Sequence, residues 1–179
     1  MNTSLFSIGH GNKKIDTFLQ ELKSFNIDYL ADVRSKPFSK FNSHFNRNEL
    51  QYFLKKHNVK YLFLGDLIGG LPDDKSCYNE KGKVDYQLLK NKDFFKEGLN
   101  RLITAHSKNL RVAIMCSETD PKECHRSKLI GRELLKYGID INHIIKENNF
   151  KTQSELNREL FGLFADDNDF YQSSKKIYL

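Results

Sequence analysis

The sequence predicts an α/β fold: a single three-layer domain with a mostly parallel central sheet of about five strands and helices on both faces. Three observations lead there. Short apolar runs without polar alternation recur along the chain, each run ends at glycine or a polar turn, and apolar residues at helical spacing follow most of them. Strands buried on both faces read as continuous apolar runs, and their alternation with helices is the pattern of parallel sheets.

Leu5-Phe6-Ser7-Ile8 reads as the first strand, closed by Gly9-His10-Gly11, after which Ile15, Phe18, Leu19, Leu22 and Phe25 recur at helical spacing. Tyr29-Leu30-Ala31-Asp32-Val33 is the second strand. A long polar and aromatic loop follows over 34–45, before a helical run with Leu50, Phe53 and Leu54 that Asn46 or Asn48 can cap. Tyr61-Leu62-Phe63-Leu64 makes the third strand, ended by Gly65 and the pair Gly69-Gly70. Residues 71–85 carry Pro72, Asp73, Asp74, Asn79 and Gly82 and read as an irregular surface excursion of the kind that is often functional. Residues 88–106, with Leu99, Leu102 and Ile103, read as one helix, and 112–115 as the fourth strand. Asp120-Pro121-Lys122-Glu123 resembles a capping box with proline at the first helical position. The helix it opens carries Leu129, Ile130, Leu134 and Leu135, leaves at Gly138, and hands over to a fifth strand within 139–145. A last amphipathic helix covers 154–164. The domain therefore spans 1–164, and the polar tail 165–179 receives no structural assignment.

With 179 residues, 39% of them hydrophobic and 14 of them Phe, the chain can bury one sizeable core. No apolar run approaches the roughly 18 residues that cross a bilayer, and Met1-Asn2-Thr3-Ser4 lacks a signal-peptide pattern, so a soluble, cytoplasmic protein is expected. Three irregularly spaced cysteines do not make a disulfide framework. The net charge of +6 suits a polyanionic partner such as a nucleotide or nucleic acid, and equally the ordinary surface of a lysine-rich protein.

If the strands are parallel, their C-terminal ends share one edge, where ligands bind in open α/β sheets. Gly9, His10, Asp32, Arg34, Ser35, Gly65, Cys116 and Glu118 then converge, with Cys124-His125-Arg126-Ser127 in the first turns of the next helix. Arg34 and Arg126 suit an anion because guanidinium is permanently charged and forked. Their alternative use is in structural ion pairs, Arg34 with Glu118 and Arg126 with Asp32. Asp32 and Glu118 are the candidate acid, base or nucleophile. Cys116, closing a buried strand, suits a small core residue, whereas Cys124 beside His125 and Arg126 has the surroundings that lower a thiol pKa. Glu118, Asp120 and Glu123 crowd that turn and oppose an anion-cradling cysteine loop. A metal site from Cys77, Cys116, Cys124 and His125 lacks paired Cys-x-x-Cys or His-x-x-x-His spacing, so neither metal nor cofactor is expected. The bases, hydroxyls and phenylalanines of 34–47 suit either stacking on nucleobases or a lid that plugs the core edge.

Taken together, Ser7-Ile8-Gly9-His10, Asp32-Val33-Arg34-Ser35 followed by Pro37, Phe45-Asn46, Leu67-Ile68-Gly69-Gly70, and Cys116 with Glu118, Asp120-Pro121 and Cys124-His125-Arg126-Ser127 resemble the bacterial and archaeal domain of unknown function 488 family, in the expected order over 7–164. The resemblance implies a single α/β domain and supports Gly9, His10, Asp32, Arg34, Gly69, Gly70, Cys116, Glu118, Cys124, His125 and Arg126 as site residues. It confers no reaction. The expected function is an enzyme acting on a phosphate-bearing nucleotide or nucleic-acid component by glycosidic or phosphoester chemistry. Asp32, Glu118, Cys124 and His10 are its catalytic candidates; Gly9, Arg34, Ser35, Gly69, Gly70, Cys116, His125 and Arg126 are its binding candidates. The alternatives are a non-catalytic nucleotide or nucleic-acid binding module and a cysteine-dependent transferase acting through Cys124.

Overall fold

Strands β1 (Leu5–Gly9), β2 (Tyr29–Asp32), β3 (Lys60–Phe63), β4 (Lys83–Asp85), β5 (Val112–Cys116), β6 (Asn142–Lys146), β7 (Asn149–Thr152) and β8 (Gln172–Lys176) alternate with helices in the computed structural model, which describes residues 3–161 and 172–176. The helices are α1 (Ile15–Ser24), α2 (Arg47–Lys56), α3 (Gly65–Ile68), α4 (Tyr86–Leu89), α5 (Asp93–Ser107), α6 (Arg132–Leu135) and α7 (Gln153–Phe161). The main sheet has the order β3-β2-β5-β1-β6-β7. Its first five strands are parallel, and β7 runs antiparallel on the edge. The expected single three-layer α/β domain is what forms.

Side chains along a strand point alternately to the two faces, and β5 shows it. Ala113 and Met115 join Phe6, Ile8, Phe18, Leu22, Leu50 and Leu54 in a core under α1 and α2. Val112, Ile114 and Cys116 join Phe95, Leu99, Leu102, Ile130 and Leu134 in a second core under α5 and α6. The chain moves from β1 through β2 to β3 with helices on one face, then returns through β5 to β6 with helices on the other. That reversal puts a topological switch at the C-terminal ends of β2, β5 and β1, where such sheets leave a crevice.

The structure departs from the sequence expectation in four places. Asn148, at φ 54, turns β6 into the hairpin partner β7. The segment expected as one helix over 88–106 is two: Asp85 caps α4 by accepting from the Gln87 and Leu88 amides, and extended backbone at Lys92 separates α5. The 71–85 excursion is partly core, since Cys77 and Val84 are buried with Tyr86 and Leu89, and β4 pairs antiparallel with β8 from within the tail. The helix expected at Asp120 begins as a single 3₁₀ turn, Pro121–Glu123, and resumes as a π-helical turn, Arg126–Gly131, that leads into α6. Residues 162–164 of the last expected helix lie outside the described residues. Among the described residues no helix is long and apolar enough to cross a membrane.

Candidate functional site

Parallel pairing aligns Gly9 with Cys116 and Asp32 with Met115, so the chain leaves β1, β2 and β5 side by side. The ladder continues past the strands: His10 and Gly11 donate to the Cys116 and Ser117 carbonyls at 3.0 and 2.9 Å, and Val33 donates to Met115 at 3.0 Å. Gly9 is needed there. A Cβ on it would sit 1.9 Å from the Glu118 carbonyl oxygen, so only glycine lets the 118 backbone cross over β1.

Between the segments 34–36, 70–71 and 116–125, with Tyr86 from α4, lies a cavity of about 120 Å³. Its floor is a cluster of four donors. Glu118 Oε2 is 2.6 Å from Cys116 Sγ and 3.2 Å from Cys124 Sγ. His125 Nδ1 is 3.7 and 3.6 Å from the same two sulfurs. His125 Nε2 lies 3.2 Å from the Val33 carbonyl, to which it must donate, leaving Nδ1 to face the thiols. Arg126 donates from its amide and Nε to Cys124 Sγ, at 3.5 and 3.3 Å, and from its guanidinium to the Glu118 carbonyl at 2.7 Å and Ser7 Oγ at 3.1 Å. Burial pushes the Cys116 thiol well above its usual value, reinforced by Cys124 and Glu118. Burial acts the same way on Cys124, yet the Cys116 thiol, the Arg126 guanidinium and His125 outweigh it and hold Cys124 well below the usual thiol range. The four donor atoms all lie within 4.8 Å of one another, which makes them the group that could hold a metal ion.

Behind the cavity stands a second cluster. Asp32, fully buried, receives Arg34 in a two-pronged pair, Nε to Oδ1 at 2.9 Å and Nη2 to Oδ2 at 2.6 Å, and the Tyr61 hydroxyl at 2.8 Å. Arg34 also donates to the Phe45 carbonyl at 2.8 Å and, through Nη1, to His10 Nε2 at 3.3 Å. His10 Nδ1 meets the Gly11 carbonyl at 2.9 Å, and its ring stacks on Phe45 with centroids 4.3 Å apart. Burial brings the His10 pKa down to about 4, with the Arg34 charge assisting against the Gly11 hydrogen bond. A neutral ring is what this geometry requires. A third network supports Arg126 from below: Ser7 Oγ meets His143 Nδ1 at 2.6 Å, and His143 Nε2 meets Gln153 Oε1 at 2.8 Å.

The sequence candidates thus divide. Arg34, Ser35, Gly70, Cys116, Glu118, Cys124 and His125 line the cavity; Gly9, His10, Asp32, Gly69 and Arg126 stand behind it as supports. Asp32 spends both oxygens on Arg34 and Tyr61, whereas Glu118, the other candidate acid, base or nucleophile, faces the cavity. His10 directs its Nε2 to Arg34. The ion pairing also differs from the pairs considered, because Arg34 takes Asp32, and Arg126 takes a sulfur, a hydroxyl and a carbonyl. Cys116 is a member of the cluster as well as of the core. Ser35 Oγ accepts from the Leu71 amide at 2.9 Å and fixes the approach of the glycine turn. Tyr86 and Lys36 were not anticipated: Tyr86 falls between the excursion 71–85 and the helix expected over 88–106, and Lys36 belonged to a loop read as a whole. In that loop Phe45 is buried whereas Phe38 and Phe41 are exposed, so plug and free aromatics coexist.

The family model of a domain of unknown function, DUF488, matches residues 14–132, which include every cavity-lining residue but not Gly9 and His10. No curated protein and no solved structure matches the chain.

Proposed function

The chain belongs to the DUF488 family, whose description assigns no reaction, and from the site's own geometry we propose that the protein is a hydrolase acting on the N-glycosidic bond of a nucleotide unit within a nucleic-acid component. The observation that carries this reading is the small cavity, with Glu118, Cys116, Cys124 and His125 at its floor and Arg34 and Lys36 at its edge. Whole-ligand pockets run to about 300–1,000 Å³, so a cavity of about 120 Å³ admits only the reacting part of a larger substrate.

Charge decides which part. A phosphate on the floor would face Glu118, Glu123 and the Cys124 thiolate, and Arg34 is already neutralised by Asp32. One like charge at about 4 Å costs roughly 4 kcal/mol at an effective dielectric of about 20. The floor therefore suits a neutral sugar carbon, and the phosphates belong outside, at the edge beside Lys36. Exposed Phe38 and Phe41 on the same loop offer stacking faces to flanking bases. In the reaction, water gives a proton to Glu118 and its oxygen bonds to the anomeric carbon. The carbon–nitrogen bond breaks with its electron pair on nitrogen, which takes the proton back.

The test is anisotropy with short single-stranded DNA and RNA at two salt concentrations, with mass-spectrometric detection of released base. Affinity should fall steeply with salt. Glu118→Gln should keep affinity and lose about 10²-fold or more in turnover, and Phe38→Ala with Phe41→Ala should weaken binding by about 1–3 kcal/mol per stacked base. Absence of nucleotide and oligonucleotide binding at low salt overturns the reading. The depressed pKa of Cys124 favours a second reading, transfer through a Cys124 adduct, and a substrate-derived mass increase on that residue after quenching separates the two.

A further inference from the structure

We propose that the cavity floor is a binding site for a divalent transition metal of the zinc class, with Cys116, Cys124 and His125 as ligands and Glu118 beside the fourth position. The inference rests on the reading above for its substrate and on geometry alone for the metal.

Two distances carry it. With metal–sulfur bonds of about 2.3 Å and metal–nitrogen bonds of about 2.0 Å, the sulfur–nitrogen edges of a tetrahedral site are about 3.5 Å long. His125 Nδ1 lies 3.7 and 3.6 Å from Cys116 and Cys124 Sγ, so the imidazole already stands at the tetrahedral edge length from both sulfurs. The imidazole is already oriented for the ion, since Nε2 is committed to the Val33 carbonyl, the type of outer hydrogen bond that fixes a ligating histidine. By contrast, Glu118 Oε2 sits 2.6 and 3.2 Å from the sulfurs, inside the corresponding edge of about 3.5 Å. The carboxylate is thus the group that moves outward when an ion enters, which brings it beside an open coordination position facing the cavity.

Donor type and charge agree. Two sulfurs and an imidazole select zinc and its neighbours over magnesium or calcium, which prefer oxygen. Binding releases the proton of the Cys116 thiol, Cys124 already being a thiolate. Two thiolates and the Glu118 carboxylate against a dication leave one negative charge, and Arg126, donating to Cys124 Sγ and the Glu118 carbonyl, balances it. One imidazole and two thiolates with a carboxylate acting outside the ligand set is also a donor arrangement that activates a bound water, the nucleophile that the glycosidic reading requires. The ligand spacing escapes the knuckle patterns because Cys116 ends a strand while Cys124 and His125 return after the 3₁₀ turn Pro121–Glu123. Cys77 is buried elsewhere and serves as the internal control.

The experiment measures metal content of the full chain by mass spectrometry after zinc loading and dialysis, then repeats it with cobalt. One equivalent per chain is expected, with a thiolate-to-cobalt charge-transfer band and the intense visible absorption of a four-coordinate ion. Cys124→Ser and His125→Ala should each weaken zinc by at least about tenfold, while Glu118→Gln and Cys77→Ser keep the full equivalent. Should the ligand variants fail to fold, the cobalt spectrum of the unaltered chain still decides. A chain that takes up no metal, zinc uptake unchanged by Cys124→Ser, or a Cys116–Cys124 disulfide in the purified protein each overturns the site. Stoichiometric zinc without nucleotide hydrolysis keeps the metal and sinks the glycosidic reading; hydrolysis undiminished by chelation does the reverse.

Discussion

Two clusters of ionisable groups sit at adjacent strand ends, and they use the same residue types in opposite ways. At the end of β2, Asp32, Arg34, His10 and Tyr61 spend their hydrogen bonds on one another and on backbone carbonyls. At the end of β5, Cys116, Glu118, Cys124 and His125 turn their polar atoms toward a common point with a cavity above it. Convergence at a sheet edge is therefore not itself a site. What separates the two clusters is that the first closes entirely on itself and on backbone, whereas the second also borders a space.

The largest expected effect tests the brace. Asp32→Asn leaves the Arg34 guanidinium buried against a neutral amide, and breaking one side of a buried ion pair costs about 3–5 kcal/mol. For a chain of this size that corresponds to a fall in melting temperature of roughly 10 °C. Glu118→Gln, in the half-buried floor, should change stability by less than about 1 kcal/mol. Urea denaturation of both variants reads the contrast directly, and equal losses would erase the distinction between the regions.

Acid should attack the brace next. His10 is held neutral in the folded chain, with its pKa lowered to about 4, whereas an unfolded histidine titrates near 6.5. Between those values the unfolded chain binds a proton that the folded one refuses, so stability is complete above pH about 6.5 and is lost as pH falls toward 4. At pH 5 the loss is about 2 kcal/mol. Arg34 opposes the proton, while Asp32, Glu118 and the Gly11 carbonyl favour it. His143, lowered to about 3 by burial and then by Arg126, adds a loss of similar size. His10→Gln, which can still accept from Arg34 and donate to Gly11, should remove about half of the drop between pH 7 and 5. An unchanged slope would show that His10 is not the titrating support.

How much of this was readable beforehand follows the range of the interactions. The apolar runs of β1, β2 and β5 are local signals, and with them came the sheet, the shared edge and the residues of the floor. Asp32 and Arg34 lie two apart at a strand end, on one side of the chain, and that spacing could have signalled their pairing. Tyr61 could not be placed, because its reach to Asp32 depends on β3 lying beside β2. The same holds for Tyr86, brought to the cavity by a segment whose polar composition hides Cys77, Val84 and Leu89 in the core. The hairpin to β7 did have a local mark in Asn148-Asn149, but Asn149-Phe150-Lys151-Thr152 alternates too weakly to read as a strand. Metal ligation was set aside on knuckle spacing, a rule for ligands within one loop. Here a strand end and a returning turn bring four donor atoms within 4.8 Å of one another.

The smallest effect on stability should accompany a clear effect on the site. Gly70 adopts a backbone conformation open to other residues, and an added Cβ would meet His125 Nδ1 at 2.9 Å and the ring carbon Cγ at 3.1 Å. Replacing glycine by alanine at a compatible position stabilises by about 0.4–1 kcal/mol through the unfolded chain, which offsets a contact that a rotating imidazole can relieve. Gly70→Ala should therefore keep its stability within about 1 kcal/mol of the parent. The displaced ring, however, no longer aims Nδ1 at both sulfurs, so zinc affinity and hydrolysis should fall together. Paired denaturation and metal-competition measurements check this. A loss of several kcal/mol with metal binding intact would mean that His125 closes on its neighbours as Asp32 does, and that the second cluster is a brace too.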